Sequence, residues 1–342
     1  MKTFRCRVCG NPLYLENSLC YSCGSALGFS RAEREIVPLE TTGRYVDADG
    51  LVWHRCANLT LNGCTWLAAL EGGQCSACDL TRTRPADTDA DGLRQLPQAE
   101  SAKRHLLVEL DTRGIDVTGL LFDLLSSSAA AGASGENVVI GHADGVITID
   151  LAESDHARRE RIRVDLGEPY RTMLGHLRHE TGHFVQMRLL QAGAPDQVAR
   201  CRELFGDDTA DYQAAIDRHY AQGAPVGWEQ SYITTYATMH PFEDFAETFA
   251  HYLHISDTCE TAAEHGLIPV GPAEVLGSDT SSADSFADLV RGVWVPFSIA
   301  LNQVNRSMGK DDLYPFVIPD RVVEKLAFVA GLFTPATRDR SG

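Results

Sequence analysis

The chain has 342 residues, of which 44% are hydrophobic, with 30 Lys and Arg against 47 Asp and Glu for a formal charge of −17. That length admits two or three units, one of them large enough to bury a full core. The acidic balance speaks against nucleic acid as a partner of the whole molecule, and no run approaches the roughly 20 apolar residues of a membrane span, since the best, Phe286 to Leu301, contains Asp288 and Arg291.

The first predicted element is a cysteine array. Cys6-Arg-Val-Cys9 and Cys20-Tyr-Ser-Cys23 are two CxxC knuckles ten residues apart, with Gly10 and Gly24 directly after them. Such spacing closes a four-cysteine zinc ribbon. Cys56 and Cys64, followed by Cys75-Ser-Ala-Cys78, form a second set, read as a second structural zinc held by thiolates. The step from Cys56 to Cys64 is wider than a standard knuckle, and cross-bracing between the sets is left open. Disulfides are the competing reading of an even cysteine count. Against them, Met1-Lys2-Thr3-Phe4-Arg5-Cys6 reaches a knuckle before any apolar signal run, so the expectation is a cytoplasmic protein. Cys201 and Cys259 are expected to be inert buried thiols. The first ribbon carries Lys2, Arg5, Arg7, Arg31 and Arg34 against Glu16, Glu33 and Glu35, too small an excess for a nucleic-acid patch.

Thr81 to Ala102 is polar and contains Arg82, Arg84, Pro85 and Pro97. It is expected to join a zinc-ribbon region, residues 1–95, to a second domain, residues 96–342, with a helix following through Leu110. Leu120 to Leu125 is apolar, and Ser126 to Gly135 is a small-residue loop. Val138 to Asp150 reads as a hairpin, two β-branched runs around Asp144-Gly145.

His179-Glu180-Thr181-Gly182-His183 puts two imidazoles one helical turn apart with a carboxylate between them. Residues four apart on a helix share a face with Cβ atoms roughly 5–6 Å apart, so both rings can reach one ion. Glu180, one position on, is placed to accept a proton from an activated water and return it to a leaving amine. Pro169 suits a first helical turn, and Leu174, Leu177, Phe184, Val185, Met187, Leu189 and Leu190 recur at helical spacing. Gly182 is a poor residue for a helix interior, which implies that something packs closely against it. His142, His156 and His176 are read as ordinary histidines rather than ligands.

About sixty residues later, Pro241 to His254 forms a second helix. Phe242, Phe245, Phe249 and Leu253 are its apolar stripe, while Glu243, Glu247 and His251, with His254 as a further candidate, make a polar stripe at four-residue spacing. Glu243 is the choice for a third metal ligand, with Asp244 and His251 as competitors. Glu247, one turn on, would hydrogen-bond the outer nitrogen of a ligating histidine. The competing interpretation of the stripe is a solvated helix face. Asp288 to Met308 and Asp320 to Phe333 are expected to be two further helices.

The run Gly167 to His183, with Pro241 to His254, resembles a family of bacterial zinc-binding metallopeptidases that carry an N-terminal zinc ribbon. The resemblance extends along nearly the whole chain, through Leu204-Phe205-Gly206-Asp207, Arg218-His219-Tyr220-Ala221-Gln222-Gly223 and Asp312-Leu313-Tyr314-Pro315-Phe316. It implies a reaction class and leaves the substrate open. The wider class, gluzincins, takes its third ligand from a Glu on a later helix with an acidic residue four positions on, a pattern that Glu243 and Glu247 match. A narrower likeness, to the catalytic domain of anthrax lethal factor, adds a tyrosine seven residues before the ligand Glu. Tyr236 stands there and would donate to an oxyanion, with Tyr232 and Tyr252 as nearby alternatives. Zinc peptidases of this type also place an edge strand beside the HExxH helix to pair with extended substrate, a role expected for Val146 to Leu151.

These readings converge on an α+β protein, four-cysteine zinc ribbons followed by a mainly helical zincin-like domain with a small β-sheet. Its zinc would be one catalytic and two structural ions. The expected function is hydrolysis of a peptide or protein substrate, with Glu180 as general base and no membrane partner. The alternative is a non-catalytic scaffold whose ribbons recruit a protein or nucleic-acid partner.

Overall fold

The computed structural model describes residues 3–127, 141–154, 172–269 and 283–333. Contacts divide the chain into two compact units, Lys2–Leu177 and Arg178–Gly342. The predicted Pro169, His156, Val138 to Ile140 and most of the Ser126 to Gly135 segment lie outside the described residues.

The first unit opens with short strands that hold the cysteines. Strands β1 (Phe4–Arg5) and β2 (Pro12–Leu13) pair antiparallel around the first knuckle. Gly10 and Gly24 both sit at φ 74° and return their N–H groups to Cys6 and Cys20 carbonyls at 2.8 Å. A side chain at either place would be strained, which is why glycine follows each CxxC. Hairpin β3 (Leu27–Ser30) and β4 (Glu35–Pro38) adds the main apolar layer. There Phe29 packs against Phe4 at 5.9 Å and Trp66 at 4.8 Å between ring centroids. Strands β5 (Arg44–Val46), β6 (Val52–Arg55) and β7 (Leu67–Ala68) form a three-stranded antiparallel sheet, with the helical turn α1 (Leu59–Asn62) between the last two.

A four-stranded sheet follows, made of β8 (Thr81–Thr83), β9 (Leu121–Leu125), β10 (Gly141–Ala143) and β11 (Val146–Asp150) in the order β10-β11-β9-β8. The hairpin turn Asp144-Gly145 has φ of 49° and 84°, the two positive values that a two-residue type I′ loop demands. The expected edge strand is not at an edge. Strand β11 lies between its hairpin partner β10 and the parallel strand β9, and Ile147 and Ile149 are fully buried.

The expected join at Thr81 to Ala102 is also structured: it contains β8, and helix α2 (Ala90–Thr112) starts well before the predicted point and runs through Pro97. Asp89 caps α2 by accepting the Gly92 N–H at 2.9 Å. Polar residues that suggested a linker are partners: Thr81 donates to Glu100 at 2.6 Å, Lys103 pairs with Glu100 at 3.0 Å, and Arg82 pairs with Asp123. Buried Leu96, Ala99, Leu106, Leu107 and Leu110 supply the apolar contacts that offset the backbone bond Pro97 cannot make. His142 accepts the Gly145 N–H at 3.1 Å, and His176 meets Glu153 at 2.9 Å.

The second unit is helical. It contains most of α3 (Met173–Ala192), then α4 (Pro195–Phe205), α5 (Tyr212–Gln222) and the long α6 (Pro241–Glu264). Helix α7 (Ala283–Leu289) passes through a π turn at Val290–Trp294 into α8 (Val295–Ser307), and α9 (Asp320–Gly331) closes the unit. These match the two expected C-terminal helices. Helix α6 is the centre: Phe245, Ala246, Phe249 and Leu253 are fully buried. Cys201 and Cys259 are buried too, and burial pushes the Cys201 thiol up to about 12. Among the described residues, no helix is long and apolar enough to cross a membrane.

Candidate metal centres

The ribbon cysteines form two separate clusters, Cys6, Cys9, Cys20 and Cys23, and Cys56, Cys64, Cys75 and Cys78. Each is drawn from one set, so there is no cross-bracing between them. In the first, Cys6 to Cys23 and Cys9 to Cys20 are 3.7 and 3.6 Å apart between sulfurs. In the second, Cys56 to Cys78 and Cys64 to Cys75 are 3.6 and 3.5 Å apart. A disulfide would bring sulfurs to about 2.05 Å, whereas four sulfurs around zinc at about 2.3 Å stand about 3.8 Å from one another. The spacing therefore fits a tetrahedral thiolate cage in both clusters. In the second, the backbone N–H groups of Cys75 and Asn58 point at Cys56 Sγ from 3.3 and 3.5 Å, donors suited to an anionic sulfur.

A third group of donor atoms forms where α3 meets α6. His179 and His183 stand one turn apart on α3, their ring centroids 4.8 Å apart, with Glu180 contributing a carboxylate oxygen within 4.8 Å of the ring nitrogens. Helix α6 reaches the pair because Gly182 has no side chain. Glu243, in the first turn of α6, is buried and directs Oε2 at both rings, 3.0 Å from His179 Nε2 and 3.5 Å from His183 Nε2. Ligands at about 2.0–2.1 Å from a tetrahedral zinc are about 3.3 Å apart, so the donor set is one that zinc fits.

The rest of the predicted polar stripe divides. Glu247, one turn along, accepts from His179 Nδ1 at 2.7 Å and from the Thr234 hydroxyl at 2.8 Å. Asp244 turns away and pairs with buried Lys325 at 2.6 Å. His251 also turns away, and its Nδ1 hydrogen-bonds the Tyr314 hydroxyl at 2.8 Å. The stripe is not a solvated face, since Glu243 and His251 are buried and the half-buried Glu247 is engaged by His179 and Thr234. Tyr236 brings its ring to 5.9 Å from that of His179. Tyr232 instead lies under the Lys325 ammonium at 4.3 Å, and Tyr252 packs on Phe286 at 5.1 Å.

The electrostatics follow from burial and partners. Burial opposes charge on His179, but Glu243 and Glu247 outweigh it and hold the imidazole well above its ordinary pKa. Burial likewise disfavours the Glu243 carboxylate, yet His179 and His183 hold it well below the usual range. Two carboxylates facing paired imidazoles favour positive charge at this place, carried by a proton or by a metal cation. Tyr212, whose hydroxyl donates to Glu243 Oε1 at 2.6 Å, was not among the predicted residues. It lies on a different helix, at no periodic spacing from the motif, so nothing in the pattern pointed to it.

Two cysteine cages ahead of a helical site with two histidines and a carboxylate define an α+β metalloprotein class. The chain belongs to the family described as "Putative zinc-binding metallo-peptidase", which matches residues 92–332, and residues 3–89 match a zinc-ribbon domain. Its relatives include uncharacterized proteins of Mycobacterium tuberculosis (strains H37Rv and CDC 1551) and Mycobacterium bovis. Each is 48% identical over 339 residues, which is 96% of this chain and 94% of the relative. No solved structure matches the chain.

Proposed function

We propose that the protein is a gluzincin-like zinc peptidase in which His179, His183 and Glu243 hold the catalytic ion and Glu180 is the general base. The observation that carries this reading is the convergence of Glu243 Oε2 on both imidazoles, at 3.0 and 3.5 Å. When bound, zinc supplies Lewis acidity, polarising a peptide carbonyl and bringing the pKa of water toward neutrality. Glu180 takes the proton of the attacking water onto its carboxylate and returns it to the leaving amine. Glu247 orients His179 through Nδ1, a carboxylate–histidine arrangement that fixes the ring and its tautomer. Tyr236 donates its hydroxyl to the developing oxyanion. Burial, reinforced by Glu243, raises its pKa and keeps that proton in place.

The two cysteine cages hold structural zinc, which stabilises a region too small for a large core. We assign residues 1–95 to this ribbon region and 96–342 to the catalytic region, in a cytoplasmic protein acting on peptide or protein substrates. The test is digestion of an unbiased peptide library by the zinc-loaded protein and by Glu180→Gln. Cleavage by the first, lowered at least about a hundredfold in the second with zinc retained, is the expected result. No cleavage by the zinc-loaded protein overturns the reading.

A further inference from the structure

Glu243 has two carboxylate oxygens, and only one faces the histidines. The other, Oε1, accepts the Tyr212 hydroxyl at 2.6 Å. We propose that Tyr212 is a positioning residue that fixes how Glu243 binds metal. By occupying Oε1 it presents Oε2 as the single ligand atom and keeps a coordination position open for substrate. This inference rests on the reading of Glu243 as a ligand.

The chemistry supplies the reason. A carboxylate with both oxygens unengaged can grip a cation with one or with both. A catalytic zinc needs three protein ligands and an open position, and a second oxygen from Glu243 would crowd that position. Ligating carboxylates are themselves hydrogen-bonded, and such outer partners set ligand orientation.

Tyr212 is well held for this task by contacts that do not involve Glu243. It is the first residue of α5, whose start is fixed by Asp211 accepting the Ala214 N–H at 3.0 Å. His240 then ties this segment to α6. Its Nδ1 accepts the Phe242 N–H at 3.1 Å, so its Nε2 carries the proton and donates to the Ala210 carbonyl at 3.0 Å. The Tyr212 ring stands edge-on to His240 at 5.2 Å. One histidine thus clamps the residues beside the phenol to the helix end that carries Glu243. From the same helix α5, His219 meets the Tyr236 ring edge-on at 6.3 Å, so α5 forms one wall of the site.

The experiment compares wild type, Tyr212→Phe and Glu243→Ala. Phenylalanine keeps the ring and its packing and removes only the hydroxyl, at a residue that is 38% exposed. The site is emptied with a mild chelator that leaves the thiolate cages loaded, then refilled with Co(II), and zinc affinity is measured separately by chelator competition. Wild type should give the intense visible absorption of four-coordinate Co(II). Tyr212→Phe should give the weaker bands of a higher coordination number, together with about tenfold to hundredfold lower zinc affinity. An unchanged spectrum overturns the proposal whether or not affinity falls, because loss of a merely structural contact lowers affinity without changing coordination. Glu243→Ala separates the two readings. If it retains the metal, Glu243 is not a ligand and this inference falls with that reading. If it loses the metal while Tyr212→Phe keeps the wild-type spectrum, only the role of Tyr212 fails.

Discussion

A Cβ placed on Gly182 would lie 2.7 Å from the Cα of Ala246 and 3.1 Å from its carbonyl oxygen. Backbone meets backbone at this crossing, so neither side can yield by a rotamer change. The crossing lies between His179 and His183 on α3 and beside Glu243 and Glu247 on α6. Gly182→Ala should therefore push the two helices apart. Overpacking costs about 1–3 kcal/mol, more than the roughly 1 kcal/mol alanine gains in helix propensity. Thermal unfolding should show net destabilisation, and zinc affinity at the histidine site should fall with it. A more stable variant would contradict the close approach.

The third ligand can be identified by comparing three substitutions. Glu243→Ala should strip zinc from the histidine site, and Glu247→Ala should weaken it about tenfold to hundredfold. Asp244→Ala should behave differently. It leaves the Lys325 ammonium buried without its carboxylate, where both side chains are 2% exposed, and breaking such a pair costs about 3–5 kcal/mol. The protein that still folds should keep its zinc. Metal analysis paired with urea unfolding separates these outcomes, and zinc loss from folded Asp244→Ala would mean that α6 is rotated from the orientation described.

Elemental analysis should find about three zinc ions per chain, one for each cysteine cluster and one for the histidine pair on α3. Mild chelation should remove the histidine-site ion first, because that site keeps an open position while the cysteine cages are closed. Stronger chelation should unfold the ribbon region and expose eight further thiols to a thiol reagent. About one zinc per chain with all ten cysteines reactive would argue against both cages.

Acid should destabilise the helical unit through two histidines of α6, His251 buried and His254 half-buried. Burial outweighs Glu247 and brings His251 down to about 4, and burial with help from Arg178 brings His254 down to about 3. Both folded values lie below the unfolded value of about 6.5, so the unfolded chain takes up protons first. The contribution to stability is full above about pH 6.5 and is lost progressively as pH falls toward those folded values. His254→Phe should lessen the slope, read as the difference between two urea-unfolding series across that range. Parallel profiles would show that His254 does not contribute.

Both metal-binding patterns were legible because their ligands are close in sequence. CxxC spacing and the four-residue step from His179 to His183 are local geometry, and local geometry survives whatever the rest of the chain does. Glu243 and Glu247 were legible as a helical stripe, but whether it faced solvent or protein was not. That depends on α3 offering imidazoles to it, a tertiary fact. Tyr212 left no trace in the pattern because its link to Glu243 spans 31 residues and two helices. The polar stretch at Thr81 to Ala102 resembled a linker because its charges could be counted but their partners, Asp123 among them, lay far along the chain.

The separate closure of the two cysteine cages bears on the order in which the metals can be acquired. Cys6 and Cys23 are 17 positions apart and Cys56 and Cys78 are 22, whereas His179 and Glu243 are 64. Loop-closure entropy alone favours the shorter loops by only about 1 kcal/mol. The larger difference is that the four cysteines of each cage come from one short stretch of chain, while the histidine site exists only once two long helices have docked. During synthesis the cages can therefore be loaded while the downstream helices are still being made. If the proposed function holds, a cell short of zinc would then produce chains whose ribbons are metallated and whose histidine site is empty, so that supply limits activity before it limits folding.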